Sequence, residues 1–164
     1  MAVSIERGDA GDVDSLRELW LQLHHHHQRI GPESGTFVDD ETSWRFRSQY
    51  YREWLETEGS FVLIARDGDE LVGYAMVLVS PGPDEDRDAW EVPGTVAEIE
   101  TMVVAEGRRG EGIGHRLLDG VDAEIDRLGI TELIVGLIPG NDGAQRLYES
   151  RGFKRRWLKL VRSL

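Results

Sequence analysis

Apolar positions change period several times along the chain, and each change marks an element. Val3-Ser4-Ile5 alternates briefly and predicts a short first strand. Val13, Leu16, Leu19, Trp20 and Leu23 then recur at helical spacing, with Asp12 placed to cap the first turn. That helix runs through His24–His27 to a stop at Gly31-Pro32, where a loop opens as far as Asp40. Trp44, Phe46, Tyr50, Tyr51, Trp54 and Leu55 are the apolar and aromatic positions of a second helix over Thr42–Glu58. Strands follow at Ser60–Arg66 and Leu71–Ser80 around Asp67-Gly68-Asp69, a hairpin turn sequence. Pro81–Gly94 reads as loop and Thr95–Val104 as a strand. Ile113, Leu117, Leu118, Val121, Ile125 and Leu128 form one apolar stripe of a helix that stops at Gly129. Thr131–Ile138 is β-branched and apolar enough for a buried strand, Asp142–Ser150 reads as a short helix, and Phe153–Val161 reads as a last strand. The order is β-α-α-β-β-β-α-β-α-β. With no internal repeat or linker, it predicts one α+β domain over residues 1–164, a mixed sheet flanked by helices.

Composition narrows what such a domain does. The apolar fraction of 40% supports a real core, and no run approaches the length of a membrane helix. The absence of cysteine excludes disulfides, thiolate metal sites and a cysteine nucleophile. A polar N-terminus does not read as a secretory signal, so the expected compartment is the cytoplasm. The net charge of −12 argues against binding nucleic acid. That charge is uneven: residues 1–100 hold 22 acids and eight bases, whereas residues 101–164 hold nine acids and 11 bases. The C-terminal half therefore favours an anion and the N-terminal half a cation, unless the acids are simply a solvated surface.

The stretch Ala97–Gly114 carries the chemistry: a strand runs into a glycine-rich, basic turn from Glu106 to Gly112, and a helix opens there. Helix-opening amides lack internal partners and sit at the positive end of the helix dipole, so a glycine turn leading into them suits a phosphate or pyrophosphate. Arg108, Arg109 and Arg116 add positive charge. A Walker loop is excluded, because Lys154 and Lys159 are the only lysines and neither follows such a glycine. The Gly110, Gly112, Gly114 spacing and the preceding hairpins do not fit the dinucleotide fingerprint. A glycine turn that binds nothing is the remaining alternative.

Arg109-x-x-Gly112-x-Gly114, with Val104 five residues upstream, resembles the signature of the GNAT family of N-acetyltransferases. So does the downstream block Asn141-x-x-Ala144-x-x-Leu147-Tyr148-Glu149-x-x-Gly152-Phe153, in the family's order and separation. The resemblance implies the GNAT fold and acetyl-CoA as acyl-donor cosubstrate. It implies that the amides of Arg109, Gly110, Glu111, Gly112, Ile113 and Gly114 hold the pyrophosphate, and that the main chain of Met102, Val103 and Val104 runs along pantetheine. Asn141 would contact coenzyme A from the following helix. Tyr148 would protonate the leaving thiolate, against the alternative of a core tyrosine, and Glu149, Gly152 and Phe153 would be structural.

An alkylamine must lose a proton before attacking a thioester, and a carboxylate with a raised pKa can take it. Glu98 and Glu100 lie two apart on a strand and face the same side. The resemblance favours Glu98 as base with Glu100 as second candidate or water relay; the alternative is that they only bind the substrate's cation. Of His24–His27 only His24 and His27 share a helix face, so the run reads as a polar helix end or a wall of the acceptor site rather than a metal centre. His115 is expected to face solvent or a coenzyme phosphate. The acidic loop Pro83–Glu91 and the aromatics Trp44, Tyr50, Tyr51 and Trp54 either border the acceptor groove or are, respectively, solvated surface and core. The expected function is acetyl transfer to a primary amine by direct attack in a ternary complex. A catalytically inactive acyl-CoA-binding sensor or scaffold is the alternative. The expected partners are a small-molecule or peptide amine, cationic on the charge argument, and a second copy of the chain in a homodimer that no residue pattern decides. Neither nucleic acid nor membrane is expected.

Overall fold

The structure, a computed structural model, describes residues 3–31 and 35–162 of the chain; Pro32, part of the expected helix stop, lies outside the described residues. β1 spans Ser4–Gly8 and leads into a 3-10 turn over Ala10–Leu16. Its cap is Asp9, whose carboxylate accepts the Gly11 amide at 2.7 Å, while Asp12 accepts the Asp9 amide at 2.9 Å. The expected cap, Asp12, is thus the reciprocal member of a capping box that begins three residues earlier. α1 covers Arg17–Ile30, and α2 covers Asp40–Glu56, opened by Asp39 accepting the Thr42 amide at 2.8 Å. β2 (Phe61–Asp67) and β3 (Glu70–Pro81) form the expected hairpin, with Gly68 at φ 62° in its two-residue turn. β4 (Thr95–Val104), α3 (Ile113–Leu128), β5 (Leu133–Val135) and α4 (Asp142–Ser150) complete the chain.

The sheet runs β1-β2-β3-β4-β5, antiparallel at the first three junctions and parallel at β4–β5. Both its faces are covered. Phe61, Leu63, Val72, Val77, Ala97 and Ile99 pack under the α3 stripe of Ile113, Leu117, Leu118, Val121 and Ile125. Val62, Ile64, Tyr74 and Met76 pack under Leu16, Leu19, Trp20, Trp44 and Tyr51. β2 is buried on both sides, and that is why its sequence is a continuous apolar run rather than an alternation. α3 closes on Gly129 at φ 68°, with the Ile130 amide returning to the Ile125 carbonyl at 3.0 Å.

One irregularity in β4 organises the site. Met76 pairs with Thr101 and the next residue, Val77, pairs with Ile99, so Glu100 is an extra residue in β4. The alternation changes phase there. Ala97 and Ile99 face α3, whereas Thr101 and Val103 face the α1–α2 layer. Thr101 is held by the Tyr51 hydroxyl, which donates to Thr101 Oγ1 at 2.6 Å and lies 2.9 Å from the Tyr74 hydroxyl. All three side chains are buried, and burial pushes the Tyr51 phenol up to about 12.

Two expected strands are corrected. Thr131–Ile138 contributes only Leu133–Val135, half-buried, because β4 and β5 pair at just Ala97↔Leu133, Glu98↔Ile134 and Ile99↔Val135 before the bulge bends β4 away. Phe153–Val161 forms no strand: Trp157, Leu158, Leu160 and Val161 are exposed, and side chains rather than a ladder fasten the segment. Arg156 pairs with Glu132 at 2.8 Å and Trp157 Nε1 donates to Asp86 at 2.9 Å.

Tyr51→Phe is expected to cost about 2 kcal/mol of folding stability in urea titrations, because it leaves the buried hydroxyls of Thr101 and Tyr74 short of a partner. A loss of only a few tenths of a kcal/mol would mean that the hydroxyl triad does not hold the bulge.

Candidate active site

The turn between β4 and α3 is open on its outer side. Gly110 (φ 84°) and Gly112 (φ 80°) occupy the left-handed region, and a Cβ built on either would meet nothing within 4 Å. Gly112 is the N-cap of α3 and offers no side-chain acceptor, so the opening amides of a 16-residue helix are left for a ligand or water. Arg109, Gly110, Glu111 and Gly112 are exposed, Ile113 is buried beneath them, and a Cβ at Gly114 would lie 3.1 Å from Leu147 of α4. Arg108, grouped above with the cations of the turn, is instead neutralised. Its guanidinium donates to Asp67 at 2.9 Å and to Glu111 at 3.0 Å, with Glu70 at 3.4 Å, and so ties the turn to the β2–β3 hairpin. Arg109 and Arg116 are the exposed cations beside the turn, with His115 exposed between α3 and solvent.

β4 leads straight into this turn. Beyond Ile99 no described strand pairs with its outer edge, so the main chain of Met102, Val103 and Val104 is bonded to β3 on one side only. Glu98 and the bulge residue Glu100 are half-buried. Burial raises both carboxyl pKa values; the Lys159 ammonium pulls Glu98 partly back, whereas the neighbouring charge of Glu98 raises Glu100 further and Arg47 lowers it. The expectation that both face one side rests on strict alternation, which the bulge at Glu100 interrupts.

The facing wall comes from α1 and α2. His24 is buried and donates Nε2 to the Val38 carbonyl at 2.9 Å, and His25 donates to the Asp40 carboxylate at 2.9 Å. These two histidines join α1 to the start of α2. His27 is half-buried, and its pKa falls to about 4 through desolvation and the neighbouring charges of His26, His24 and Arg47. No cluster of metal-ligating side chains occurs among the described residues. Trp44 and Tyr51 belong to the core, while Tyr50 is exposed and stacked on Trp54 with ring centroids 5.7 Å apart. Arg47 stacks on Trp20, Cζ 4.2 Å from the ring centre, with Tyr51 and Trp54 at 5.7 and 5.6 Å.

On the other side of the open edge, the Tyr148 ring is buried against Phe153 with centroids 5.3 Å apart, in the cluster under α3. Burial raises its phenol strongly, so it stays protonated across the working pH range. Asn141 caps α4, its side-chain oxygen accepting the Ala144 amide at 3.4 Å. In the acidic loop Asp86 is buried and accepts from Trp157, whereas Asp84, Asp88 and Glu91 are exposed. A depression of about 500 Å³ lined by Gly59, Val79, Pro93, Gly94 and Ile130 lies at the opposite end of β4 and holds none of these groups.

Sequence reasoning missed Arg47. Only its i−3 and i+4 neighbours Trp44 and Tyr51 and its i+7 neighbour Trp54 hint at a cation on an aromatic helix face. It also missed the bulge, which leaves no mark in a strand whose apolar positions alternate on both sides of it.

The fold is a mixed sheet whose fourth strand has an open outer edge beyond Ile99 and leads into an uncapped glycine turn at the start of α3. The profile of the acetyltransferase (GNAT) family matches residues 17–153, and the chain belongs to that family. The chain is 28% identical over 138 residues to the mycothiol acetyltransferase of Geodermatophilus obscurus, covering 84% of this chain and 41% of that protein. It is 28% identical over 146 residues to the L-2,4-diaminobutyric acid acetyltransferase of Streptomyces avermitilis, covering 88% of this chain and 68% of that protein. The chain thus spans less than half the length of the mycothiol acetyltransferases that it matches. Among solved structures, AAC(6')-Iy in complex with a bisubstrate analogue, CoA-S-monomethyl-acetylneamine, superposes with a TM-score of 0.69 at 16% identity, over 100% of this chain and 99% of that one. No helix among the described residues is long and apolar enough to cross a membrane.

Because His27 binds its proton far less readily in the folded chain than in the unfolded one, stability is expected to be unaffected by it above pH 6.5. It should then fall as the pH drops from 6.5 towards about 4. Urea titrations across that range should show the loss, and His27→Gln should flatten it.

Proposed function

We propose that this domain transfers an acetyl group from acetyl-CoA to the primary amine of a small molecule, by direct attack in a ternary complex. The observation that carries the reading is the junction of an unpaired β4 edge with an uncapped, open glycine turn. The turn fits a diphosphate. Main-chain amides from Arg109, Gly110, Glu111, Gly112, Ile113 and Gly114 would bind it, with Arg109 and Arg116 adding charge. The free edge of Met102, Val103 and Val104 fits an extended amide-bearing arm such as pantetheine, by strand-like hydrogen bonding. The amide group of Asn141 remains able to donate to the cosubstrate while its oxygen caps α4. The names of the two relatives, which denote mycothiol and diaminobutyric acid acetylation, support a small-molecule amine as acceptor.

In this reading the amine enters between β4 and the α1–α2 wall as an ammonium. Glu98, or Glu100 through water, takes its proton; burial holds both carboxylates nearer to the pH at which such a transfer is efficient. The nitrogen lone pair forms a bond to the thioester carbonyl carbon, and a main-chain NH of β4 stabilises the oxyanion. Collapse breaks the C–S bond, and the departing thiolate takes the proton of the Tyr148 hydroxyl. The second proton of the attacking nitrogen passes through water to the Tyr148 oxygen, leaving amide, free thiol and neutral tyrosine. No covalent enzyme intermediate is needed, and the chain has no cysteine to form one.

Thiol release from acetyl-CoA with a panel of small amines tests the reading. Turnover is expected, with an acid limb above the ordinary carboxylate value of 4.5 that Glu98→Gln removes or displaces. Tyr148→Phe is expected to lower kcat by about 100-fold with coenzyme A affinity nearly intact. An unchanged kcat would remove Tyr148 as the acid. Tight coenzyme binding without turnover on any amine would make the domain a binding module instead.

A further inference from the structure

Arg47 lies beside the groove that the acceptor would use, against the Tyr51 ring whose hydroxyl bonds Thr101 of β4. Among the described residues it forms neither an ion pair nor a hydrogen bond, although Glu100 feels its charge. Its guanidinium face is taken up by Trp20 at 4.2 Å, with Tyr51 and Trp54 under 6 Å. Its N–H fork, the part of an arginine that grips a carboxylate with two parallel hydrogen bonds, has no acceptor among the described residues. Trp20 is itself fixed, its Nε1 donating to Ser43 at 3.0 Å, so the cation rests on a rigid platform. His27, close enough for Arg47 to depress its pKa, stays neutral above about pH 4 and adds no second cation.

The groove therefore has two opposite poles. Glu98 and Glu100 on β4 offer negative charge to an ammonium, and Arg47 on α2 offers a cation 5.7 Å from the Tyr51 ring, whose hydroxyl bonds Thr101 next to Glu100. A polyamine would place a surplus positive charge against Arg47 in a half-desolvated groove, where like charges repel most strongly. An acceptor carrying one carboxylate would satisfy both poles. We infer that the acceptor is an amine that also bears a carboxylate, such as an amino or diamino acid, with Arg47 on α2 as the residue that binds that carboxylate and sets the specificity. This rests on the acetyltransferase reading above and narrows it from amines in general to zwitterionic ones.

Matched pairs of amines that differ only in the carboxylate test the inference: ornithine against putrescine, and lysine against cadaverine. With acetyl-CoA saturating, kcat/KM should favour the amino acid of each pair by roughly 10- to 100-fold, mainly through KM. In Arg47→Met, which keeps a long apolar stem over Trp20, that ratio should collapse towards one, and Arg47→Lys should restore part of it. Near-ultraviolet circular dichroism and thermal unfolding of each variant show whether the Trp20 platform survives. A misfolded Arg47→Met leaves the wild-type ratio and the lysine variant to decide. Equal or higher kcat/KM for putrescine and cadaverine in the wild type would overturn the inference while leaving the acetyltransferase reading intact. A ratio that persists in Arg47→Met, or is fully kept in Arg47→Lys, would overturn the role of the Arg47 fork. Failure to acetylate any member of either pair or of the wider amine panel, by a chain that binds coenzyme A, would instead overturn the parent reading.

Discussion

The register of β4, and with it the open edge at the site, turns on a single extra residue, Glu100. A regular strand would have kept Glu100 in register with β3. With the bulge, pairing to β5 ends at Ile99, and Thr101 turns towards α2 where Tyr51 and Tyr74 hold it. Main-chain groups that end up unpaired at a sheet edge must find water or a ligand, since leaving them dry costs about as much as a lost hydrogen bond. β4 runs through the Glu106–Arg108 turn to the start of α3, so the open strand edge and the helix terminus are neighbours along the chain.

Charge is distributed to match. The excess of acid lies in the first 100 residues, and two of those acids, Glu98 and Glu100, reach the groove. Most others serve local structure. Asp9, Asp12 and Asp39 cap helices, Asp67 neutralises Arg108, and Asp86 anchors Trp157. The basic end of the chain likewise spends Arg151 on Asp119 and Asp122, and Arg156 on Glu132. Arg109 and Arg116 by the turn and Arg47 by the aromatic platform are the cations left beside the groove.

Much of this was legible in the sequence where a local rule fixes the outcome. The α3 stripe, the Gly129 stop and the Asp-Gly-Asp hairpin are short-range signals, and each forms where expected. The glycine turn was legible for the same reason, because positive φ at Gly110 and Gly112 needs glycine whatever the surroundings. The failures are non-local. Phe153–Val161 has strand-like composition, but no described edge pairs with it. Arg108 looked like a ligand cation because Asp67 and Glu70 lie some forty residues away in sequence and next to it in space. Arg47 was invisible because its meaning depends on Trp20 from another helix and Glu100 from a strand. Whether Tyr148 is acid or core likewise depends on where its hydroxyl emerges, which periodicity does not encode.

The central claim is that main-chain amides at the start of α3 hold the diphosphate of coenzyme A. Titrating coenzyme A into the isotopically labelled chain while following the backbone amide resonances measures this directly. The account predicts that the largest shifts fall on Arg109–Gly114, with smaller ones along Met102–Val104. Saturable binding that moves amides elsewhere and leaves Gly110, Gly112 and Gly114 unperturbed would contradict it.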